Sequence, residues 1–150
     1  MKKINSLVCV TAAFFASSAA LAGNVSVFGP WLGGDQENVE AVLDGYANAT
    51  GNTYSYVGSD SFEQQVRIDA EAGSAANLSV FPQPGLAADF AKLGFLTPLA
   101  SGTGDWVRDN YAAGQSWVDL GTYAGPDGKD NLYGFFYKID VKSLVWYSPE

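Results

Sequence analysis

The sequence predicts an α/β fold with a largely parallel sheet and flanking helices, and three observations point to it. A strand, a turn or loop and a helix follow one another three times between Asn24 and Leu93. Each helix candidate carries apolar residues three and four apart, whereas each strand candidate is short and rich in Val, Tyr, Phe or Leu. The 150-residue chain also suits one α/β domain or lobe. Strand-helix units in succession give parallel strands joined by right-handed crossovers. In such sheets ligands bind beyond the carboxyl ends of the strands, where the turns lie.

The first 22 residues stand apart from the fold. Met1-Lys2-Lys3 is basic, Ile4 to Phe15 is mostly apolar, and Ala20-Leu21-Ala22 is a small-residue cleavage site. This is the pattern of a secretory signal peptide cut after Ala22, with export to the periplasm as the expected outcome. The apolar run is shorter than the ~20 residues a spanning helix needs. Cys9, the only cysteine, lies inside this segment, so the chain after Ala22 carries no thiol. Without disulfides the exported domain has to rely on its core.

Asn24 to Phe28 reads as the first strand, followed by the turn-rich loop Gly29-Pro30-Trp31-Leu32-Gly33-Gly34. Asp35 is placed to cap a helix whose stripe is Val39, Val42, Leu43 and Tyr46, and Gly51 to end it. Thr53 to Val57 is the second strand. After the loop Gly58-Ser59-Asp60-Ser61, a capping box of Ser61 with Gln64, or Asp60 with Glu63, predicts a helix start. Phe62, Val66, Asp69 and Ala70 mark its face, and Gly73 lies near its end.

Asn77 to Phe81 is the third strand, with Leu78 to Phe81 reading as buried. Pro82-Gln83-Pro84-Gly85 is a stiff polar turn into a helix over 85–93, with Leu86, Phe90 and Leu93 on one side and Gly94 as its stop. Beyond Pro98 the pattern loosens. Ser101 to Asp105 reads as a loop, and Trp106 to Trp117 as helical in part, weakened by Gly114. The run from Gly125 to Asn131 is a turn between apolar segments. Leu132 to Tyr137 and Lys142 to Tyr147 are strand candidates.

Composition excludes several function classes. The chain contains no histidine, which removes Ser-His-Asp and Cys-His catalysis and histidine metal sites. Neither a phosphate-binding Gly-x-x-x-x-Gly-Lys-Ser/Thr loop nor a dinucleotide-binding Gly-x-Gly-x-x-Gly after the first strand occurs. After Ala22 the chain holds six Lys and Arg against sixteen Asp and Glu, a net charge of −10. That balance argues against nucleic acid, which needs a basic footprint. Asp127, Asp130 and Asn131 do not match a calcium loop, and Pro126-Asp127-Gly128 is a turn signal. No cofactor is expected.

What remains is aromatic residues beside loops, next to amides and carboxylates. Trp31 follows the first strand, Asp35 opens the next helix, and Asp60 and Phe62 follow the second strand. Gln83 is held between two prolines after the third, and Tyr137 ends the aromatic run. A neutral sugar offers C–H faces that pack on rings, and hydroxyls that need donors and acceptors. Gln83 supplies both and the aspartates accept. These six are the candidate substrate-binding residues. All but Gln83 have a plainer role: Trp31 covering a sheet edge, Asp35 and Asp60 capping helices, Phe62 and Tyr137 in a core. Trp106, Trp117 and Trp146 read as packing residues. Paired carboxylates also leave a secreted glycoside hydrolase open.

Several segments together resemble one family. They are Gly29-Pro30-Trp31, Leu78-Ser79-Val80-Phe81-Pro82-Gln83-Pro84-Gly85, Leu93-Gly94-Phe95-Leu96-Thr97-Pro98-Leu99, Leu132-Tyr133-Gly134, and Val141-Lys142-Ser143-Leu144-Val145-Trp146-Tyr147. With the signal peptide, they resemble bacterial family 1 extracellular solute-binding proteins, the receptors of sugar ABC importers, and most of all the α-glucoside-binding branch. Family members often carry Pro-Asp before the third strand. Here Ala76-Asn77 stands there, and Asn still serves to cap or turn.

The resemblance implies a type II periplasmic binding protein, of which this chain is an incomplete amino-terminal lobe. Residues 1–22 are then the signal peptide, 23–137 the partial lobe, and 138–150 the start of a crossover into a second lobe. It further implies a monomer without catalytic activity that captures maltose-, trehalose- or sucrose-like sugars and delivers them to a membrane permease. By itself the chain is expected to bind sugar weakly or not at all and to be marginally stable. A secreted glycoside hydrolase and a lectin-like carbohydrate-binding module are the competing readings.

Overall fold

The computed structural model describes residues 23–138 and residue 148. The expected signal peptide, the strand candidate at 142–147 with Trp146, and nearly all of the expected crossover lie outside the described residues. The first half of the described chain is a βαβαβα series: β1 (Asn24–Gly29), α1 (Gly33–Thr50), β2 (Thr53–Gly58), α2 (Phe62–Glu71), β3 (Leu78–Ser79) and α3 (Pro84–Leu93). The second half adds α4 (Thr103–Asn110), α5 (Gly114–Leu120), β4 (Thr122–Ala124) and β5 (Asp130–Leu132).

The three first strands form one sheet in the order β2-β1-β3, with both pairings parallel. The α/β fold with a parallel sheet is therefore borne out. Helices cover both faces, as parallel strands require. On one face Tyr54 donates its hydroxyl hydrogen to Asp44 Oδ1 of α1 at 2.8 Å, with the Glu40 carbonyl at 3.2 Å. That carboxylate acceptor pushes the Tyr54 hydroxyl up to about 12. On the other face Phe28 meets Phe62 of α2, ring centroids 4.8 Å apart.

The core sits on that second face. Phe28, Phe62, Val66 and Phe90 are buried together, with Phe81, Leu86, Phe95 and Leu96 packed around them. The rings form a chain of edge contacts, Phe62–Phe81 at 5.9 Å, Phe81–Phe90 at 5.3 Å and Phe90–Phe95 at 5.5 Å. Arg67 lays its guanidinium over the Phe90 ring, 5.4 Å from the centroid. Gly51 and Gly94 end α1 and α3 in the left-handed conformation, as their positions predict.

Several expectations need correction. No residue of α1 is buried; Val39 and Leu43 are half-buried, whereas Val42 and Tyr46 face outward. Leu93 is likewise exposed, because α3 buries Ala87, Phe90 and Ala91 instead. β3 is only two residues long and Leu78 is exposed at its edge. A polar pin takes over where the ladder stops: Asn77 Oδ1 accepts from Ser26 N–H at 3.0 Å and Ser26 Oγ at 2.9 Å, and Asn77 N–H lies 2.9 Å from Ser26 Oγ. Asn77 thus ties the start of the third strand to the first.

In the second half, α4 begins at Thr103, inside the stretch read as loop, and the helical run breaks at 111–113. Gly114 opens α5 rather than weakening a helix. It is buried, and a Cβ there would collide with the Arg108 backbone. β4 and β5 form an antiparallel pair around the predicted turn, but the strand expected to reach Tyr137 stops at Leu132. Trp106, expected to pack, is exposed and touches Tyr111 by its edge. Among the described residues, no helix is long and apolar enough to cross a membrane.

Candidate functional site

Parallel pairing decides where the polar loops go. Gly29 and Gly58 are register partners, and Phe28 pairs with Ser79. Ser59 N–H donates to the Gly29 carbonyl at 3.0 Å, and Val80 N–H to the Phe28 carbonyl at 2.9 Å. The segments carrying Trp31, Asp60 and Gln83 therefore leave one end of the sheet side by side, within about 5 Å per strand. That end is the carboxyl edge of all three strands, where open α/β sheets present ligand sites.

The Trp31 loop is held by β2. Tyr56 Oη accepts from the Trp31 N–H at 3.2 Å and lies 3.1 Å from the Trp31 carbonyl, to which it donates. Burial pushes the Tyr56 hydroxyl above its ordinary range, with the Glu40 charge adding to it and the Trp31 backbone bond opposing. The Trp31 indole meets the Tyr137 ring edge-on, centroids 5.4 Å apart at 86°. Trp31 is half-buried and Tyr137 is 57% exposed, so the pair forms an aromatic lip with open surface.

The remaining candidates fall in different places. Gln83 is exposed at the N-cap of α3 in extended backbone, and its side chain makes no capping bond. Pro84 in the first turn restricts the Gln83 backbone to this extended region. Asp60 is exposed and accepts from Ser61 Oγ at 3.3 Å. Neither expected capping box forms: Ser61 is the N-cap of α2 but makes no side-chain bond to it. Asp35 is not a cap either, because α1 starts two residues earlier and leaves Asp35 exposed in the first turn. There it favours the helix dipole. Phe62 is 1% exposed between Phe28 and Phe81, so its ring is committed to the core.

One feature escapes the sequence reading. Tyr137 also lines an open depression of about 370 Å³ with Tyr111, Ala112, Trp117, Phe136 and Lys138. Trp117 reaches it by packing on Phe136 at 5.5 Å, while its Nε1–H donates to the Ala112 carbonyl at 3.0 Å. These rings lack the periodic spacing that marks a helix or strand face. The available signal was density alone: Tyr111, Trp117, Phe135, Phe136 and Tyr137 fall within 27 residues. The depression is lined mainly by rings, with Lys138 among them. Such ring faces pack against the C–H faces of a ligand.

No protein-family model matches the chain. Two curated proteins are similar to it. It is 54% identical over 126 residues to the alpha-glucosides-binding periplasmic protein AglE of Rhizobium meliloti (strain 1021), covering 84% of this chain and 28% of that protein. It is 40% identical over 127 residues to the osmoprotective compounds-binding protein GgtB of Synechocystis sp., again covering 84% of this chain and 28% of the relative. The chain thus spans under a third of the length of the relatives it matches. Both are named as binding proteins and one as periplasmic, which bears out the resemblance to solute-binding proteins.

Proposed function

We propose that this chain forms the first part of the carbohydrate-capturing component of an ABC importer, and that the ligand is an α-glucoside. The reading includes export by the signal peptide, cleavage after Ala22 and work in the periplasm. A second lobe completes the site and a membrane permease receives the sugar. The protein binds and releases its ligand as a monomer without catalytic turnover. Closure follows from selection of the ligand-bound form in an open–closed equilibrium.

The observation that carries this reading is the shared carboxyl edge of β1, β2 and β3, with Trp31, Asp60 and Gln83 beyond it and Tyr137 on the Trp31 ring. The 54% identity to a protein named for α-glucosides supports the ligand class. Gln83 both donates and accepts, Asp60 accepts, and the Trp31–Tyr137 lip packs against C–H faces. Asp35 joins this edge only from the first turn of α1, and Phe62 supports it from below as a core residue.

Calorimetry on the full-length protein with maltose, trehalose and sucrose tests the reading. The expected result is micromolar affinity for at least one of them, about −8 kcal/mol, with no release of chromophore from a chromogenic α-glucoside. Turnover of that glucoside would support the hydrolase reading instead. Binding of osmoprotective compounds in place of every α-glucoside would shift the ligand toward that named for the second relative.

A further inference from the structure

We infer that Tyr56 is a positioning residue for the ligand site: its hydroxyl clasps the Trp31 peptide at both its N–H and its carbonyl, and so fixes the indole against Tyr137. The inference rests on the reading of Trp31 as a ligand contact and goes beyond it, because Tyr56 itself lies on the strand and not on the loop.

Two glycines show that the clasp is built into the backbone. A Cβ on Gly29 would come within 2.8 Å of Tyr56 Oη, the atom that makes both bonds. A Cβ on Gly58 would overlap the Trp31 carbonyl oxygen. These two residues are register partners at the strand ends. Gly58 therefore excludes a side chain, one on Gly29 would push the Tyr56 ring aside, and the space the two leave brings the loop backbone onto the tyrosine hydroxyl. The Trp31 loop carries no regular secondary structure between Gly29 and Gly33. Its indole is oriented by this peptide contact at one end and by Tyr137 at the other. Preorganising a contact group in this way lowers the ordering cost of binding.

Tyr54 supplies the internal control. It lies two residues earlier on the same face of β2, but its hydroxyl goes to Asp44 and Glu40 of α1 instead of to the Trp31 loop. Tyr56→Phe and Tyr54→Phe each remove one hydroxyl from one strand face, and only the first touches the loop.

The test uses the full-length protein labelled with 5-fluorotryptophan, with the Trp31 fluorine resonance assigned through Trp31→Phe. Without ligand, Tyr56→Phe is expected to shift or broaden the Trp31 resonance and leave the others in place, and Tyr54→Phe to leave Trp31 unmoved. With maltose, trehalose or sucrose, whichever binds, Tyr56→Phe is expected to weaken affinity about five- to tenfold, the scale of one to two lost hydrogen bonds. Gly58→Ala is expected to move the same resonance by displacing the Trp31 carbonyl. An unmoved Trp31 resonance in Tyr56→Phe overturns the inference, as does an equal movement in Tyr54→Phe. Unchanged affinity in Tyr56→Phe, where Trp31→Ala abolishes binding, overturns it too. If Trp31→Ala binds sugar as well as the native protein, the sugar contact at Trp31 fails, while the ligand-free spectra still decide the clasp.

Discussion

The two halves of the described chain hold together by different means. From β1 to α3 the structure is made of side chains in contact: Phe28, Phe62, Val66 and Phe90 are buried as one cluster. From α4 to β5 the close approaches are made by glycine. Gly114, Gly121 and Gly125 are all buried there. A Cβ on Gly114 would strike the Arg108 backbone, one on Gly121 the Gly134 carbonyl, and one on Gly125 the Tyr133 hydroxyl at 2.5 Å. Among the larger side chains of that half, only Val107 and Tyr133 are buried. Apart from the Gly29 and Gly58 strand ends, where the Trp31 loop comes close, the first half is thus stabilised by apolar area, the second by backbone packed on backbone around a few rings. Substitutions that empty space should hurt the first half most, and substitutions that add volume away from the Trp31 loop should hurt the second.

The largest effect is expected from Phe62→Ala. The ring is 1% exposed and touches both Phe28 and Phe81, so its removal leaves a cavity in the middle of the cluster. The loss should be about 3–5 kcal/mol in urea unfolding. Phe62→Leu should recover much of it. A loss under about 1 kcal/mol would mean that this half is not held by its rings, and the contrast between the halves would break.

Next come Gly114→Ala and Gly121→Ala. Added methyl groups that meet backbone cannot be absorbed by a rotamer change, and overpacking of this kind costs about 1–3 kcal/mol. Hydrogen exchange should show faster opening in 103–134, with 24–96 little changed. In the first half, Gly45→Ala adds the same methyl on α1 with nothing within 4 Å, and should be neutral or slightly stabilising. If the three behave alike, the contrast is wrong.

The same difference explains what could be read from sequence. The βαβαβα order, the strand limits of β1 and β2, and the stops at Gly51 and Gly94 were all legible. They depend on periodicity and on glycine at helix ends, both local signals. Gly114 was legible as a glycine but not as a helix start, because the atom that demands it belongs to Arg108, on another helix. Leu132 to Tyr137 has strand composition, yet pairing ends at Leu132 and the rings turn to Trp117 and Trp31 instead. For the site, the sequence placed Trp31 and Gln83 in loops after strands, which needs only the element order. It gave no sign that Tyr56 grips the Trp31 peptide, since that contact joins residues 25 apart.

A smaller effect is expected from Asn77→Ala. Its side-chain oxygen accepts from Ser26 N–H and lies 2.9 Å from Ser26 Oγ. The loss should be about 1 kcal/mol, since the site is exposed and water replaces part of the bonding. Urea unfolding measures it, and Asn77→Asp should retain most of the stability because a carboxylate accepts the same bonds. A neutral Asn77→Ala would show that the two paired residues of β3 suffice.

The smallest effect separates the halves at acid pH. In the hairpin turn of the second half, Asp127 Oδ1 accepts from Lys129 N–H at 3.1 Å, and Oδ2 lies 3.2 Å from Lys129 Nζ. The backbone bond first, and the lysine second, hold the carboxyl below its ordinary value of 3.8. A carboxyl depressed in the folded state contributes stability that is present above 3.8 and fades as pH falls through the lower folded value. In the first half Tyr54 and Tyr56 are both raised from 10.0, and burial raises Tyr123 on β4 of the second half as well, so the acid limb is the one that separates the halves. Their contribution is full below pH 10 and is lost as pH rises from there through the raised folded values. Asp127→Asn should therefore flatten the stability profile only below about pH 4, and Tyr54→Phe with Tyr56→Phe only above about pH 10. The Asp127 pair is solvent-exposed, so its share is small and shrinks with salt. Amide exchange or backbone NMR across an acid titration would locate the first change near 122–132. An acid change that starts in the Phe28–Phe62 cluster would place the acid-sensitive contact in the wrong half.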